Sequence, residues 1–86
     1  MNATEITDMM VKREIETAFR AITGRELEGG VKSGYDVLND WYAWRIDDHG
    51  KTYAITKVPR EDFRLSLDEF FKKNIEPMLR PLRVAA

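Results

Sequence analysis

Few residues of this chain have side chains suited to catalysis, and their spacing matches none of the common reactions. His49 is the sole histidine, so one chain cannot build a metal site from two or three imidazoles. Together with Asp47 and Asp48 it could hold an ion only weakly, and the tip of a turn normally offers no enclosed pocket for acid–base catalysis. We therefore expect no metal site, no cofactor and no catalytic residue, which makes the chain a non-enzyme.

A glycine-rich segment at residues 29–34 has the composition of a phosphate-binding loop but not its order. Such a loop needs the pattern G-x-x-x-x-G-K-[ST] between a strand and a helix. Here no glycine directly precedes Lys32, and the pattern before the segment is helical. The segment is interpreted as a connector rather than a nucleotide site.

Composition and charge limit the classes of protein that this chain can belong to. Its 86 residues suffice for one small domain, and 43% hydrophobic with 34% charged residues is typical of a soluble globule. A net charge of −1 gives no strong field toward nucleic acid or an anionic membrane. With no cysteine, no signal-peptide pattern and no long apolar run, we expect a cytoplasmic protein without membrane contact.

The elements that must position any site follow from hydrophobic periodicity. Apolar residues recur at helical spacing over about residues 4–23, and Gly24 then ends the helix. A second helix is predicted over about residues 67–80, with Ser66 and Glu69 as a capping box and a kink at Pro77. Pro81 is expected to close this second helix.

A β-hairpin over about residues 41–58 is predicted between the two helices. Tyr42, Trp44 and Ile46 alternate with polar or small residues and form one apolar face. Either a four-residue loop or a two-residue turn of His49 and Gly50 would align the strands. The four-residue loop is favoured because only Gly50 would then need a positive φ.

Two questions stay open at the level of the sequence. The glycine-rich loop of about residues 24–34 is followed by Tyr35, Val37 and Leu38, which fit either a third short strand or a single helical turn. Trp41 falls on the hairpin face opposite Trp44, so its exposure is undetermined.

These elements predict one α+β domain with two layers, spanning residues 1–86. A hairpin is marginally stable alone, and two amphipathic helices on its aromatic face would complete the core. The predicted core consists of Val11, Ile15, Phe19, Ile22, Tyr42, Trp44, Ile46, Tyr53, Ile55, Phe70, Phe71, Ile75 and Leu79.

Protein binding is the predicted function, reached by elimination and from surplus apolar surface. The chain would act stoichiometrically as an accessory or inhibitor protein, of the kind that phages and mobile elements encode, on another protein or as a homodimer. Helical geometry puts a small apolar cluster off the main stripe of the first helix, and methionine suits variable contacts. The predicted partner-binding residues are Trp41, Arg45, Lys57, Ile6, Met9 and Met10.

The alternative is a nucleic-acid-binding protein that uses the hairpin. Basic residues lie along and just after the hairpin, and an aromatic ring beside them could stack on a base. Interspersed acidic residues weaken this alternative. The basic residues concerned are Arg45, Lys57, Arg60 and Arg64.

Overall fold

The computed structural model describes the backbone of residues 5–85 and the side chains of residues 5–84. A three-stranded antiparallel sheet in the order β1-β2-β3 is covered on one face by helices, which confirms the predicted two-layer α+β fold. The elements in chain order are α1 (Asp8–Thr23), β1 (Lys32–Asp36), β2 (Trp41–Asp48), β3 (Lys51–Pro59), a 3-10 helix (Arg60–Arg64), α2 (Leu67–Phe70), a π-helical turn (Phe71–Ile75) and α3 (Glu76–Ala85).

The first helix begins later than its periodicity predicts. Thr7 is the N-cap, and its hydroxyl accepts a hydrogen bond of 3.3 Å from the Met10 amide. Residues 5–7 therefore precede the helix, while residue 4 lies outside the described range. Gly24 ends the helix with φ at 72° and donates to the Arg20 carbonyl at 2.8 Å, as predicted.

Ile6 is placed differently from its predicted position on the helix surface. Because Ile6 precedes the N-cap, helical geometry does not apply to it, and its amide donates to the Phe63 carbonyl at 3.1 Å. The side chain is only 3% exposed and belongs to the core. The prediction that Ile6 contributes exposed apolar surface is wrong.

The uncertain segment after the first helix contains a third strand. β1 starts at Lys32, inside the predicted loop, and pairs antiparallel with β2 so that Gly34 faces Ala43. Tyr35 belongs to this strand, whereas Val37 and Leu38 lie in the turn that follows it.

The β2–β3 connection is the two-residue turn rather than the favoured four-residue loop. Asp48 pairs with Lys51, and both turn residues have positive φ, 50° at His49 and 80° at Gly50. These angles suit the turn types that match the right-handed twist of a hairpin. That match outweighs the cost of a left-handed histidine, so the prediction of a four-residue loop is wrong.

A bulge near the end of β3 shifts the alternation of side chains by one residue, so that different residues face the helices after it. Tyr42 pairs with Val58 and Trp44 with Ile55, so Thr56 and Lys57 together oppose Ala43. The extra residue is Lys57, whose φ is 60°. Because of this insertion Val58 returns to the inner face, where it is 2% exposed.

The C-terminal helical segment has the predicted start but a different interior. The Ser66 hydroxyl accepts from the Glu69 amide at 3.1 Å and donates to the Glu69 carboxylate at 2.9 Å, which confirms the capping box. A π-helical turn immediately precedes α3, and in it the Glu76 amide donates to the Phe71 carbonyl. Pro77 lies in the first turn of α3, and the kink expected there stays a prediction. Pro81 lies inside α3, so the prediction that it ends the helix is wrong.

The core lies between the inner sheet face and the helices. Trp44 is 1% exposed, packs edge-on against Phe70 at 6.0 Å between ring centroids, and donates from its indole nitrogen to Asp8 at 2.6 Å. Four predicted core residues, Ile22, Tyr42, Tyr53 and Phe71, are only partly buried. The buried apolar residues are Ile6, Val11, Ile15, Ala18, Phe19, Trp44, Ile46, Ile55, Val58, Phe70, Ile75, Met78, Leu79 and Leu82.

Within the described residues, no helix combines the length and hydropathy needed to cross a membrane.

Candidate functional site

The β1–β2 turn presents two large apolar side chains to solvent. The turn comprises residues 37–40 and is called the hairpin tip below. Val37 is 76% exposed and Leu38 is 94% exposed, and the two are consecutive. Leaving such side chains in water forgoes about 1.5–3 kcal/mol each relative to burial, so folding of this chain does not account for them.

One carboxylate holds the backbone of the hairpin tip. Asp36 Oδ1 accepts from the amides of Leu38 at 3.0 Å and Asn39 at 3.2 Å, and its Oδ2 accepts from the Asn39 side-chain amide at 2.9 Å. The bonds from the side chain and backbone of Asn39 hold the pKa of Asp36 below its ordinary value. The conformation that displays Leu38 is therefore tied down by an ionised side chain at neutral pH.

A second carboxylate closes the other side of the tip. Asp40, with φ at 55°, accepts from the Tyr35 hydroxyl at 2.6 Å and from two nitrogens of Arg60 at 2.9 and 3.0 Å. The Arg60 and Tyr35 hydrogen bonds lower the pKa of Asp40, while the bond to Asp40 raises the pKa of Tyr35. A bidentate arginine thereby links the tip to the 3-10 helix after β3.

Aromatic rings connect the tip to the core. The ring centroids of Tyr35 and Tyr42 are 4.6 Å apart, and those of Tyr42 and Phe63 are 4.5 Å apart. The Arg60 guanidinium also lies 5.9 Å from the Tyr42 ring centroid. The tip is thus supported from the inner side of the sheet although β1 itself is exposed.

Trp41 is half-buried on the outer face, which is the sheet face turned away from the helices. The Lys57 ammonium lies 5.3 Å from the centroid of its ring, because the bulge directs Lys57 across the strand pair. The structure therefore brings these two predicted contact residues together, directly behind the hairpin tip.

Arg45 is the third predicted contact residue on this face, and it lies away from the other two. It is exposed and follows Trp41 by four residues along β2, a distance of roughly 13 Å at strand spacing. Its guanidinium lies 3.8 Å from Asp47. Arg45 borders an open concavity of about 400 Å³ above Gly34, Ala43 and Ala54.

The predicted cluster at the start of the first helix does not form one surface. Met9 is 65% exposed, Met10 is half-buried and Ile6 is in the core. Their proposed role in partner contact now concerns the two methionines alone, and it stays a prediction.

His49 borders a concavity of about 360 Å³, but its neighbours are already engaged. Asp48 receives two hydrogen bonds of 3.1 Å from Arg25, which lower its pKa, and the His49 ring lies 3.9 Å from it. The nearby hydroxyl of Thr23 donates to the Phe19 carbonyl at 2.8 Å. The Asp48 carboxylate and the Thr23 hydroxyl beside His49 therefore already have hydrogen-bond partners within the chain.

Sequence reasoning missed the tip residues as a site, although one signal was present. Asp36 precedes Leu38 and Asn39 at the spacing of a side chain that bonds backbone amides in a turn. Pairing of Asp40 with Arg60 joins residues 20 positions apart, which no local pattern indicates.

No protein-family model matches this chain, and comparison with curated proteins and with solved structures found no significant similarity.

Proposed function

We propose that this chain acts by stoichiometric binding to another protein, with the hairpin tip inserted into an apolar pocket of that protein. The supporting observation is a pair of exposed apolar side chains, Val37 and Leu38, on a turn held by ionised side chains. Single exposed apolar residues are ordinary on protein surfaces. The combination of two such residues with a constrained backbone is what favours recognition.

Constraint of the tip matters because association is opposed by the entropy of ordering loops and side chains. A turn that is already held in one conformation loses less entropy on binding. Asp36 holds the backbone on one side and Asp40 holds it on the other. The accessory or inhibitor role suggested by the sequence remains part of this proposal, as does the absence of catalysis.

The partner surface can be described by the chemistry of the tip. Leu38 needs an apolar pocket, and Trp41 under Lys57 offers a cation beside an aromatic ring at its border. Tryptophan and arginine residues are frequent among the residues that dominate binding energy, and Trp41 and Arg60 both adjoin the tip. An apolar pocket with an acidic rim on the side of Lys57 fits this arrangement.

Site-specific photo-crosslinking tests the proposal. A benzophenone amino acid replaces Leu38 in one variant and Val84 in a matched control, since Val84 is 83% exposed on α3. In lysate of the organism that carries the gene, we expect a discrete crosslinked protein from position 38 and not from position 84. Excess unlabelled wild type should compete, whereas a Leu38→Asp competitor should not.

Once the partner is isolated, its affinity for the variants gives a quantitative test. Leu38→Ala should weaken binding by roughly tenfold or more, and Val84→Ala should leave it unchanged. Equal crosslinking at both positions, or unchanged affinity for Leu38→Ala, contradicts the proposal.

Binding of single-stranded nucleic acid is the second candidate, supported by cations on the outer face. Lys32, Arg45 and Lys57 lie on that face and flank the concavity or Trp41. The test is the salt dependence of the affinity for a random single-stranded oligonucleotide. If this candidate holds, Arg45→Ala and Lys57→Ala should each reduce the slope of log affinity against log salt concentration by about one. Absence of binding at low salt removes it.

A further inference from the structure

The strand β1 stands out because it is an edge strand that buries none of its residues. All five of its residues are exposed, although the strand is paired with β2 over its whole length. The opposite edge, β3, carries a bulge, ends at Pro59 and contributes Ile55 and Val58 to the core. β1 has neither a proline nor a bulge, so it lacks two of the features that prevent edge-to-edge pairing.

The outer face of β1 carries a positive charge that its own sheet neutralises only in part. Lys32 lies directly opposite Arg45, and like charges in that position disfavour strand pairing. Asp47, 3.8 Å from Arg45, is the carboxylate that both cations share: the Thr52 hydrogen bond and the charges of Arg45 and Lys32 lower its pKa. Among the described side chains, no carboxylate forms a salt bridge with Lys32.

The sequence of β1 is charge-complementary to itself in one antiparallel register. If two copies of the strand pair with Gly34 opposite Gly34 at a twofold axis, Lys32 of each faces Asp36 of the other. Ser33 then faces Tyr35 on the other side of the sheet. On the outer face, Lys32 would then lie between Arg45 of its own chain and Asp36 of the second copy. The carboxylate of that Asp36 would offset the two neighbouring positive charges.

We propose that a second copy of this chain pairs with β1 in this register, which produces a twofold-symmetric dimer with one continuous six-stranded sheet. The inference goes beyond the proposed function, because the β1 edge and the hairpin tip are different surfaces. Leu38 lies four residues from Gly34, so the two tips of the dimer point in opposite directions, roughly 25 Å apart. Such a dimer presents two binding tips and can engage a two-site target with increased avidity.

A single engineered cysteine tests the register, because the chain has no cysteine of its own. Gly34→Cys places one thiol at the proposed twofold axis, and an added Cβ at Gly34 meets nothing within 4 Å. Directly opposed residues in an antiparallel pair have Cα atoms about 4.5–5.5 Å apart, which suits a disulfide. Ala54→Cys, on the exposed outer face of β3, is the matched control.

In a glutathione redox buffer, Gly34→Cys should form disulfide-linked dimers faster and at lower protein concentration than Ala54→Cys. Adding Lys32→Glu to Gly34→Cys should slow this reaction, since glutamate would then face the partner's Asp36. Lys51→Glu makes the same charge change at the β2–β3 turn and should have no effect. Equal rates for the two cysteine variants, or equal effects of the two glutamates, overturn the register.

Sedimentation equilibrium on the unmodified chain tests the dimer itself. The mass should rise from 10.0 kDa toward twice that value with concentration, and Lys32→Glu should raise the dissociation constant by about tenfold relative to wild type and Lys51→Glu. Circular dichroism confirms that each variant is folded. A monomer at every concentration overturns the proposal, whereas crosslinking of a different protein at position 38 would still support the proposed function.

Discussion

Two hairpins share β2, and they are stabilised in opposite ways. The β2–β3 hairpin places Trp44, Ile46 and Ile55 under the helices. The β1–β2 hairpin gains little from burial of β1, in which Tyr35 packs on Tyr42, and its turn is held by the carboxylates of Asp36 and Asp40. The central strand β2 is therefore paired on one side with β3, which contributes to the core, and on the other side with β1, which does not.

The difference separates the part of the sheet that stabilises the fold from the part that displays apolar side chains to solvent. Apolar burial provides most of the free energy of folding, whereas exposed hydrogen bonds and ion pairs contribute little net stability. Exposed polar contacts still restrict geometry. The covered hairpin can thus carry the fold while the uncovered one displays apolar side chains without endangering it.

The largest expected effect comes from removing the central ring of the covered hairpin. Trp44→Ala should lower the free energy of unfolding by about 3–5 kcal/mol, because it empties a fully buried site against Phe70. Urea denaturation followed by circular dichroism measures the loss. Leu38→Ala should remain within about 0.5 kcal/mol of wild type, and a comparable loss there would contradict the contrast between the hairpins.

A smaller loss is expected when the buried indole loses its acceptor. Asp8→Ala leaves the Trp44 indole N–H without its 2.6 Å bond and should cost about 1 kcal/mol, since Asp8 is half-exposed and water can partly replace it. Burial acts to raise the pKa of Asp8, but the Trp44 and Lys12 hydrogen bonds outweigh it and lower the pKa. Asp8→Asn keeps an acceptor and should retain most of the stability in the same urea measurement.

The turn of the covered hairpin should tolerate a change that increases stability. His49→Asn replaces a histidine at φ 50° by a residue that favours this conformation before glycine, and should add about 0.5 kcal/mol. The midpoint of thermal unfolding should rise, as monitored by circular dichroism. An unchanged or lower midpoint would contradict this prediction, because contacts of the His49 ring would then stabilise the fold by at least as much as its positive φ destabilises it.

The smallest effect is a local change at the uncovered hairpin in acid. Because the pKa of Asp36 in the folded chain is below the ordinary value of 3.8, its hydrogen bonds are fully present above about pH 4 and are lost as the pH falls through the lowered pKa. Amide resonances of Leu38 and Asn39 should titrate in this range by NMR while the Ile46 amide does not. Asp36→Asn should abolish the titration, and a titration that persists in this variant would assign it to another group.

Features governed by short-range pattern were predictable from the sequence. The first helix ends at Gly24 and the second begins after Ser66, and each boundary depends on a cap formed by residues close in sequence. The inner hairpin face follows from alternation of Trp44 with its neighbours. The two-residue β2–β3 turn does not follow from the φ preference of His49 alone, because the twist of the paired strands favours positive φ at this position.

Features that depend on distant residues were not predictable in this way. β1 has too few apolar residues to show a period, and it forms because β2 supplies a pairing edge. Ile6 packs in the core, and its backbone bonds to Phe63, a residue far along the chain. The link from Arg60 to Asp40 likewise exists only after the sheet has formed.

The amino-acid sequence by itself determined the α+β class, the two helices with their caps, and the apolar face of the β2–β3 hairpin, since these depend on periodicity and on contacts within one turn. Only the tertiary structure decided that β1 is an uncovered edge, that Leu38 stands exposed at a constrained tip, and that Lys57 covers Trp41. Burial and exposure are properties of how elements assemble. The helices cover the strands that carry apolar side chains, and β1, which contributes none to the core, is left exposed.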